Sequence, residues 1–289
     1  MKVGFIGMGI MGSPMAVNLL NAGYEVYVHT RTRVKADRAA SAGANWCDTP
    51  ARTAQNADVL ITCVTDTPDV RAVLLGENGV IETGRQGLIC IDMSTISPKA
   101  TVEMGQVLAE KGIKFIDAPI SGGQKGAEEA KLSIMAGGEK ADIDAVMPLF
   151  EVMGREITHC GPLGSGQKTK LVNQVMVIHT IMSISEGFAL AEKAGLDLKT
   201  TYNAVSRGAA GSHSLTNLGL KIIEGDMKPA FMVDLQVKDL KLVLEYADQL
   251  KQPLPGVGLV RQLMGSLQAQ GRGRDGTQAL VDVIRQLGT

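Results

Sequence analysis

Aromatic side chains are scarce in this 289-residue chain, at 3%, and neither sign of charge prevails: 29 Lys and Arg stand against 30 Asp and Glu. The formal net charge of −1 supplies no field for gripping a polyanion, which excludes nucleic acid as an expected partner. Cysteines number four, Cys47, Cys63, Cys90 and Cys160, all in or beside apolar segments and none in a CxxC pair. That usage fits reduced, buried thiols in a cytoplasmic protein. The four histidines, His29, His159, His179 and His213, lack paired ligand spacing, so no metal is expected, and His179 reads as a hydrogen-bonded core residue. No uninterrupted apolar run is long enough to cross a bilayer, and glycines break the one after Lys2, so neither a membrane span nor a secretory signal is expected. Repeats, linkers and low-complexity tracts are lacking as well.

What is abundant is glycine, 34 residues, and methionine, whose 14 residues together with many alanines suggest helices packed by small and adaptable side chains. The first twelve residues, MKVGFIGMGIMG, run from a short apolar strand into Gly7-x-Gly9-x-x-Gly12 and then into a helical stretch that ends at Gly23. Strand, glycine turn and helix in that order are the context a dinucleotide fingerprint requires. Gly7 permits the tight turn, Gly9 lets the backbone approach a pyrophosphate, and Gly12 lets helix and strand pack closely. Ile10 and Met11 fall within the same turn.

The nucleotide is read from the end of the second strand, Glu25 to His29, where an acid would bind ribose hydroxyls. Here Thr30-Arg31-Thr32-Arg33 stands instead. A guanidinium and two hydroxyls suit a 2′-phosphate, so NADP(H) is favoured, with NAD(H) possible if the arginines are merely solvated.

Strand-like and helical runs alternate through the first half: strands at 3–6, 25–29, 59–64, 88–91 and 114–117, helices at 14–21, 34–42, 70–74 and 101–111. The alternation predicts an α/β fold, a Rossmann-type doubly wound, mainly parallel sheet whose strand ends carry the ligand. Val64 ends one strand with Thr65 just after it, and Thr95 follows another, so both loops should line the cofactor crevice; Asp66 and Asp92 beside them read equally as crevice residues or as helix caps and turn formers. Asp117-Ala118-Pro119-Ile120-Ser121-Gly122-Gly123 exposes backbone N–H groups able to hold a carboxylate, or simply serves turn geometry. Composition changes near Gly161 to Gly166, which divides the chain into a dinucleotide-binding domain at 1–162 and an all-α C-terminal domain at 163–289. The second opens with a long helix from Gln167 to Lys193. Its length suggests a helix that runs between the domains or across a subunit partner, and the helices after it suggest subunits that share helical domains as a homodimer or homotetramer.

Lys170, Asn173 and Gln174 share one face of that helix, close enough to converge on one small molecule. Lys238-Asp239, on an amphipathic helix from Val233 to Leu250, reads by itself as an ordinary surface pair. Arg272-Gly-Arg274-Asp275 reads as a solvated loop.

Five segments, in order, resemble the β-hydroxyacid dehydrogenase family: GFIGMGIMGSPMAVNL from Gly4, DMSTISP from Asp92, DAPISGG from Asp117, GSGQKTKLVNQ from Gly164 and FMVDLQVKDL from Phe231. The resemblance spans the whole chain. It implies that Lys170 is the catalytic lysine, that Ser121, Gly122 and Gly123 hold the substrate carboxylate, and that Asn173 or Gln174 positions the substrate. It further implies that Thr95 and Lys238 approach the nicotinamide. The Asn173-Gln174 pair resembles the tartronate semialdehyde reductase branch, whereas the stretch from Gly208 to His213 resembles the branch acting on sulfolactaldehyde. 3-Hydroxyisobutyrate, succinic semialdehyde or glyoxylate, and serine or threonine are the family's other substrates.

The expected chemistry is reversible hydride transfer between NADPH and the carbonyl of a short semialdehyde or keto acid, with Lys170 stabilising the developing negative oxygen and supplying its proton. A free lysine, with pKa about 10.4, would need that value lowered to act as base in the oxidative direction. Two rivals share the fold: a cofactor-binding sensor without catalysis, and an imine-reducing relative whose proton donor would not be lysine here.

Overall fold

The computed structural model describes residues 1–288, which divide into two compact units, Met1–Lys170 and a second from Leu171 onward. The division falls inside the long helix, where the sequence places it just before. The first turns of that helix stay with the first unit because Gln167 is bonded into its loops, as described below.

The first unit is built on a single sheet: β1 (Lys2–Ile6), β2 (Glu25–His29), β3 (Asn45–Trp46), β4 (Val59–Thr62), β5 (Ile89–Asp92), β6 (Lys114–Asp117), β7 (Ile120–Ser121), β8 (Leu132–Gly137) and β9 (Gly154–Gly161). Its order is β3-β2-β1-β4-β5-β6-β8-β7, with β9 on β8. β1 to β6 run parallel, β8 is antiparallel to β6 and β7, and β9 parallels β8.

The double winding follows from period-two burial. In β1, Val3 and Phe5 join one core with Val26, Val28, Val59 and Ile61, covered by Met15 and Leu19 of the helix Gly12–Asn21. Ile6 faces the opposite core with Leu60, Cys90, Val70, Leu74, Met104 and Leu108. Alternate residues of one strand thus bury against helices on both sheet faces, which is why these strands read as continuous apolar runs.

The runs read from the sequence do not include β3, β7, β8, β9 or the helices Pro50–Gln55, Val80–Thr83, Gly123–Glu128 and Lys140–Met153. β3 and β7 have two residues each, too few for any period to register, and most of β9 is exposed or half-buried.

The second unit is helical. The long helix, Ser165–Lys193, enters it and is followed by Leu198–Val205, His213–Glu224, Val233–Gln249, Pro255–Ala269 and Leu280–Leu287. Leu171, Ile178, Leu240, Val243, Val257, Met264 and Leu280 form its main core. By length and composition the long helix could cross a membrane, with mean hydropathy 1.3 over an 18-residue window, so the helical run does reach the threshold that the sequence had excluded. Gln174 is nonetheless buried on it beside core residues, as on an interior helix.

Two expectations change here. His179 is exposed rather than in the core; its Nδ1 lies 2.7 Å from the Val175 carbonyl, and its ring covers Gly256, where any Cβ would collide. Arg272 is no loose loop residue: it pairs with Asp275 at 2.7 Å and with Asp282 at 2.8 Å, tying its loop to the last helix.

Candidate active site

The glycine turn follows β1 directly. Gly7 has φ +107°, a conformation disfavoured for side chains, and a Cβ there would strike the Cys63 carbonyl. A Cβ at Gly12 would strike the carbonyl of Gly7, so the helix start is packed against the turn. At Gly9 nothing lies within 4 Å of where a Cβ would stand. The turn is therefore sterically closed on the protein side at Gly7 and Gly12 and open at Gly9. The helix Gly12–Asn21 has no side-chain cap and no acid in its first turn, and Ser13 Oγ is buried without a hydrogen-bond partner. Uncapped amides, an orphaned hydroxyl and an open glycine are what a pyrophosphate would occupy, so these residues fit a dinucleotide. Ile10 is exposed and Met11 half-buried at this turn.

After β2, Thr30 and Thr32 flank Arg31, whose Nη1 lies 3.1 Å from Asp69 Oδ1. Arg33 stacks over the Trp46 ring, 5.2 Å from its centroid. After β4, the Val64 amide donates to Ser94 Oγ at 2.9 Å, holding Val64 and Thr65 against the loop that contains Thr95. Asp66 caps the helix Thr67–Leu75 through the Thr67 amide at 2.6 Å, so the cap reading of that residue is the one realised.

Asp92 and Asp117 end β5 and β6 in direct register, and both are fully buried. Asp92 Oδ1 accepts from Thr62 Oγ1 at 2.8 Å and from the Ser94 amide at 3.2 Å, fixing the turn into Ser94-Thr95. Asp117 accepts the Gly164 amide on Oδ1 and the Gln167 amide on Oδ2, both at 2.7 Å. Burial pushes the Asp117 carboxyl up to about 7, against those two amide bonds, and the Asp92 charge adds to the rise. Gln167 adds two side-chain bonds: Nε2 donates to the Ser94 carbonyl at 2.8 Å and Oε1 accepts the Ile96 amide at 3.1 Å. The start of the long helix is thus sewn to the ends of β5 and β6. Lys170, one turn further on, is only 7% exposed, uncommon for an ammonium. Ser121 ends β7, and Gly122 and Gly123 follow it with φ +133° and +64°.

In the second unit, Asn173 Nδ2 donates to Gln174 Oε1 at 2.9 Å, and Gln174 Nε2 donates to Asp239 Oδ2 at 2.5 Å. Lys238 Nζ lies 2.7 Å from Asp239 Oδ1. Asp239 is fully buried and Lys238 largely so, which corrects the surface-pair reading: a carboxylate in the interior accepts the Gln174 amide of the long helix and pairs with the Lys238 ammonium of its own helix.

Within the first unit, then, the glycine turn, Thr30 to Thr32, Val64 and Thr65, and Thr95 all follow the carboxyl ends of parallel strands; within the second, Gln174 and Lys238 meet at Asp239, and Asn173 joins them through Gln174. The sequence reading passed over Asp69, Asp117, Gln167 and Asp239 as functional positions. For Asp117 the available signal was an acid closing an apolar strand, a placement that requires buried partners. Among the described residues, no group of three His, Cys, Asp or Glu could hold a metal ion.

Comparisons with known proteins agree across both units. Residues 2–161 match the family described as the NAD binding domain of 6-phosphogluconate dehydrogenase. Residues 164–284 match the family described as NAD-binding of NADP-dependent 3-hydroxyisobutyrate dehydrogenase. The chain is 40% identical over 284 residues to the 2-hydroxy-3-oxopropionate reductase of Escherichia coli (strain K12), covering 98% of this chain and 97% of that one. It is 41% identical over 278 residues to YkwC, an uncharacterized oxidoreductase of Bacillus subtilis (strain 168), covering 96% of each. The solved structure of Psf3 in complex with NADP+ and 2-OPP superposes with TM-score 0.91 at 25% identity, over 98% of this chain and 99% of that one.

Proposed function

The chain belongs to the β-hydroxyacid dehydrogenase family and is an NAD(P)-dependent oxidoreductase acting on CH–OH groups, and from that premise we propose that it reduces tartronate semialdehyde to glycerate with NADPH. The reductase of Escherichia coli, whose substrate is 2-hydroxy-3-oxopropionate, supports the substrate, as does the Asn173-Gln174 pair. Arg31 at the end of β2 supports the cofactor, and so does the NADP+ bound by a structural neighbour.

The observation that carries the reading is an amine withdrawn from water, Lys170, on a helix start whose position is fixed by Asp117 and Gln167. When bound, NADPH supplies the hydride. Lys170 Nζ hydrogen-bonds the carbonyl oxygen, stabilises the negative charge that grows there, and passes it a proton. The Ser121-Gly122-Gly123 segment orients the carboxylate through backbone N–H groups and the Ser121 hydroxyl. Asn173 and Gln174 fix the hydroxyl-bearing carbon, and Asp239 holds Gln174 and Lys238 in place. By the family resemblance, Thr95 and Lys238 are the residues that would hold the nicotinamide end. The protein works in the cytoplasm as a homodimer or homotetramer; exposed Val172, Met176 and Leu190 on the long helix supply the apolar contact surface.

The test is a panel of short semialdehydes, keto acids and 3-hydroxy acids, together with cyclic imines, assayed with NADPH and NADH separately. Highest kcat/KM for tartronate semialdehyde with NADPH is expected. A higher value for another semialdehyde reassigns the substrate, and turnover of imines alone removes the lysine mechanism.

A further inference from the structure

Arg31 does not stand alone at the ribose end of the site. Its guanidinium is paired with Asp69 in the first turn of the helix Thr67–Leu75, at 3.1 Å. In the sheet, β1 lies between β2 and β4, so the loop after β2 and the helix after β4 flank the glycine turn on either side. The ion pair joins those two flanks. The partners are unequal: Arg31 is 82% exposed and Asp69 only 28%. Asp69 is the less exposed member, and it stands in the first turn of its helix, whose partial positive charge attracts a negative side chain.

The next cation along that loop, Arg33, does not relieve it. Arg33 is committed to the face of Trp46, whose Nε1 donates to Asp48 at 2.7 Å. A 2′-phosphate reaching for Arg31 therefore meets a carboxylate already on the same guanidinium. It must share or displace that partner, whereas an unphosphorylated ribose presents hydroxyls that can donate to a carboxylate.

We propose that Asp69 is a specificity-determining residue: by holding Arg31 it limits the preference for 2′-phosphorylated cofactor and keeps the unphosphorylated one acceptable. This rests on the reading of Arg31 as the group that receives the 2′-phosphate. The carboxylate occupies the guanidinium that a 2′-phosphate needs and repels that phosphate, so removing it should tighten a 2′-phosphate by ~3- to 10-fold.

The experiment needs no turnover. Calorimetric titration of the full-length protein with 2′,5′-ADP and with 5′-AMP compares wild type, Asp69→Asn, Asp69→Ser and Arg31→Ala, with the melting temperature of each variant as a check on folding. The expected result is a 3- to 10-fold lower Kd for 2′,5′-ADP in both Asp69 variants, with 5′-AMP unchanged or weaker. Equal shifts for the two ligands, or none for 2′,5′-ADP, overturn the proposal. If wild type favours 2′,5′-ADP and Arg31→Ala abolishes that preference while the Asp69 variants match wild type, the role of Arg31 stands and that of Asp69 falls. If wild type and Arg31→Ala bind both ligands alike, the reading of Arg31 falls and takes this proposal with it.

Discussion

Asp117 Oδ2 accepts the backbone N–H of Gln167 at 2.7 Å, so the carboxylate that ends β6 is also the anchor of the helix that carries Lys170. The sheet and the start of that helix share one buried charge.

That charge gives the fold a pH dependence. The Asp117 carboxyl lies at about 7 in the folded protein, above the ordinary 3.8, chiefly because burial disfavours its ionised form. A raised acid contributes stability below about 4, and that contribution is lost as pH rises toward 7. Urea unfolding at pH 4 to 8 should show wild type losing its advantage over Asp117→Asn across that window, by up to roughly 1.4 kcal/mol per pH unit. A pH-independent difference would remove the assignment.

The glycines of the turn should separate stability from binding. Gly12→Ala drives a methyl into the Gly7 carbonyl and is expected to cost about 2 kcal/mol or more. Gly9→Ala meets no protein atom, so its melting temperature should stay within a degree or two while the NADPH dissociation constant rises at least tenfold. Calorimetry and fluorescence titration read the two effects independently.

Lys170→Ala should lower kcat by roughly 10²- to 10⁴-fold and leave NADPH affinity nearly intact, the usual weight of a general acid. Stopped-flow hydride transfer and equilibrium titration measure the two parts. Turnover within a factor of a few of wild type retires Lys170 as the proton donor.

Asp239→Ala removes the acceptor of the buried Gln174 amide and the carboxylate beside Lys238 at once, and a loss of about 2–4 kcal/mol in urea unfolding is expected. Asp239→Asn keeps an acceptor and should recover part of it. An unchanged midpoint for the alanine variant would place the carboxylate outside the interior network.

Met176→Glu puts a charge on a side chain that is 66% exposed on the long helix, in the surface assigned to subunit contact. Light scattering should give a multiple of 30.5 kDa for wild type and a smaller particle for the variant. A 30.5 kDa wild-type particle at assay concentration removes the oligomer.

Much of this was legible along the chain, because the signals were local. The Gly7-Gly9-Gly12 turn, the continuous apolar strands and the long helix each state their conformation within one or two dozen residues. Lys170, Asn173 and Gln174 fell on one helical face by spacing alone. Two-residue β3 and β7 were not legible, since a strand that short carries no period and exists only through its neighbours' hydrogen bonds.

The order of residues by itself determined a doubly wound sheet, a helical second half and the family to which they belong. Which polar groups meet was decided only in three dimensions. Asp117 and Gln167 lie 50 positions apart, Gln174 and Asp239 lie 65 apart, and Arg31 finds Asp69 across an intervening strand. Local sequence fixes backbone conformation through sterics and burial period, whereas the partner of a buried carboxylate depends on which strand ends and helix starts the packed chain brings within 3 Å of it.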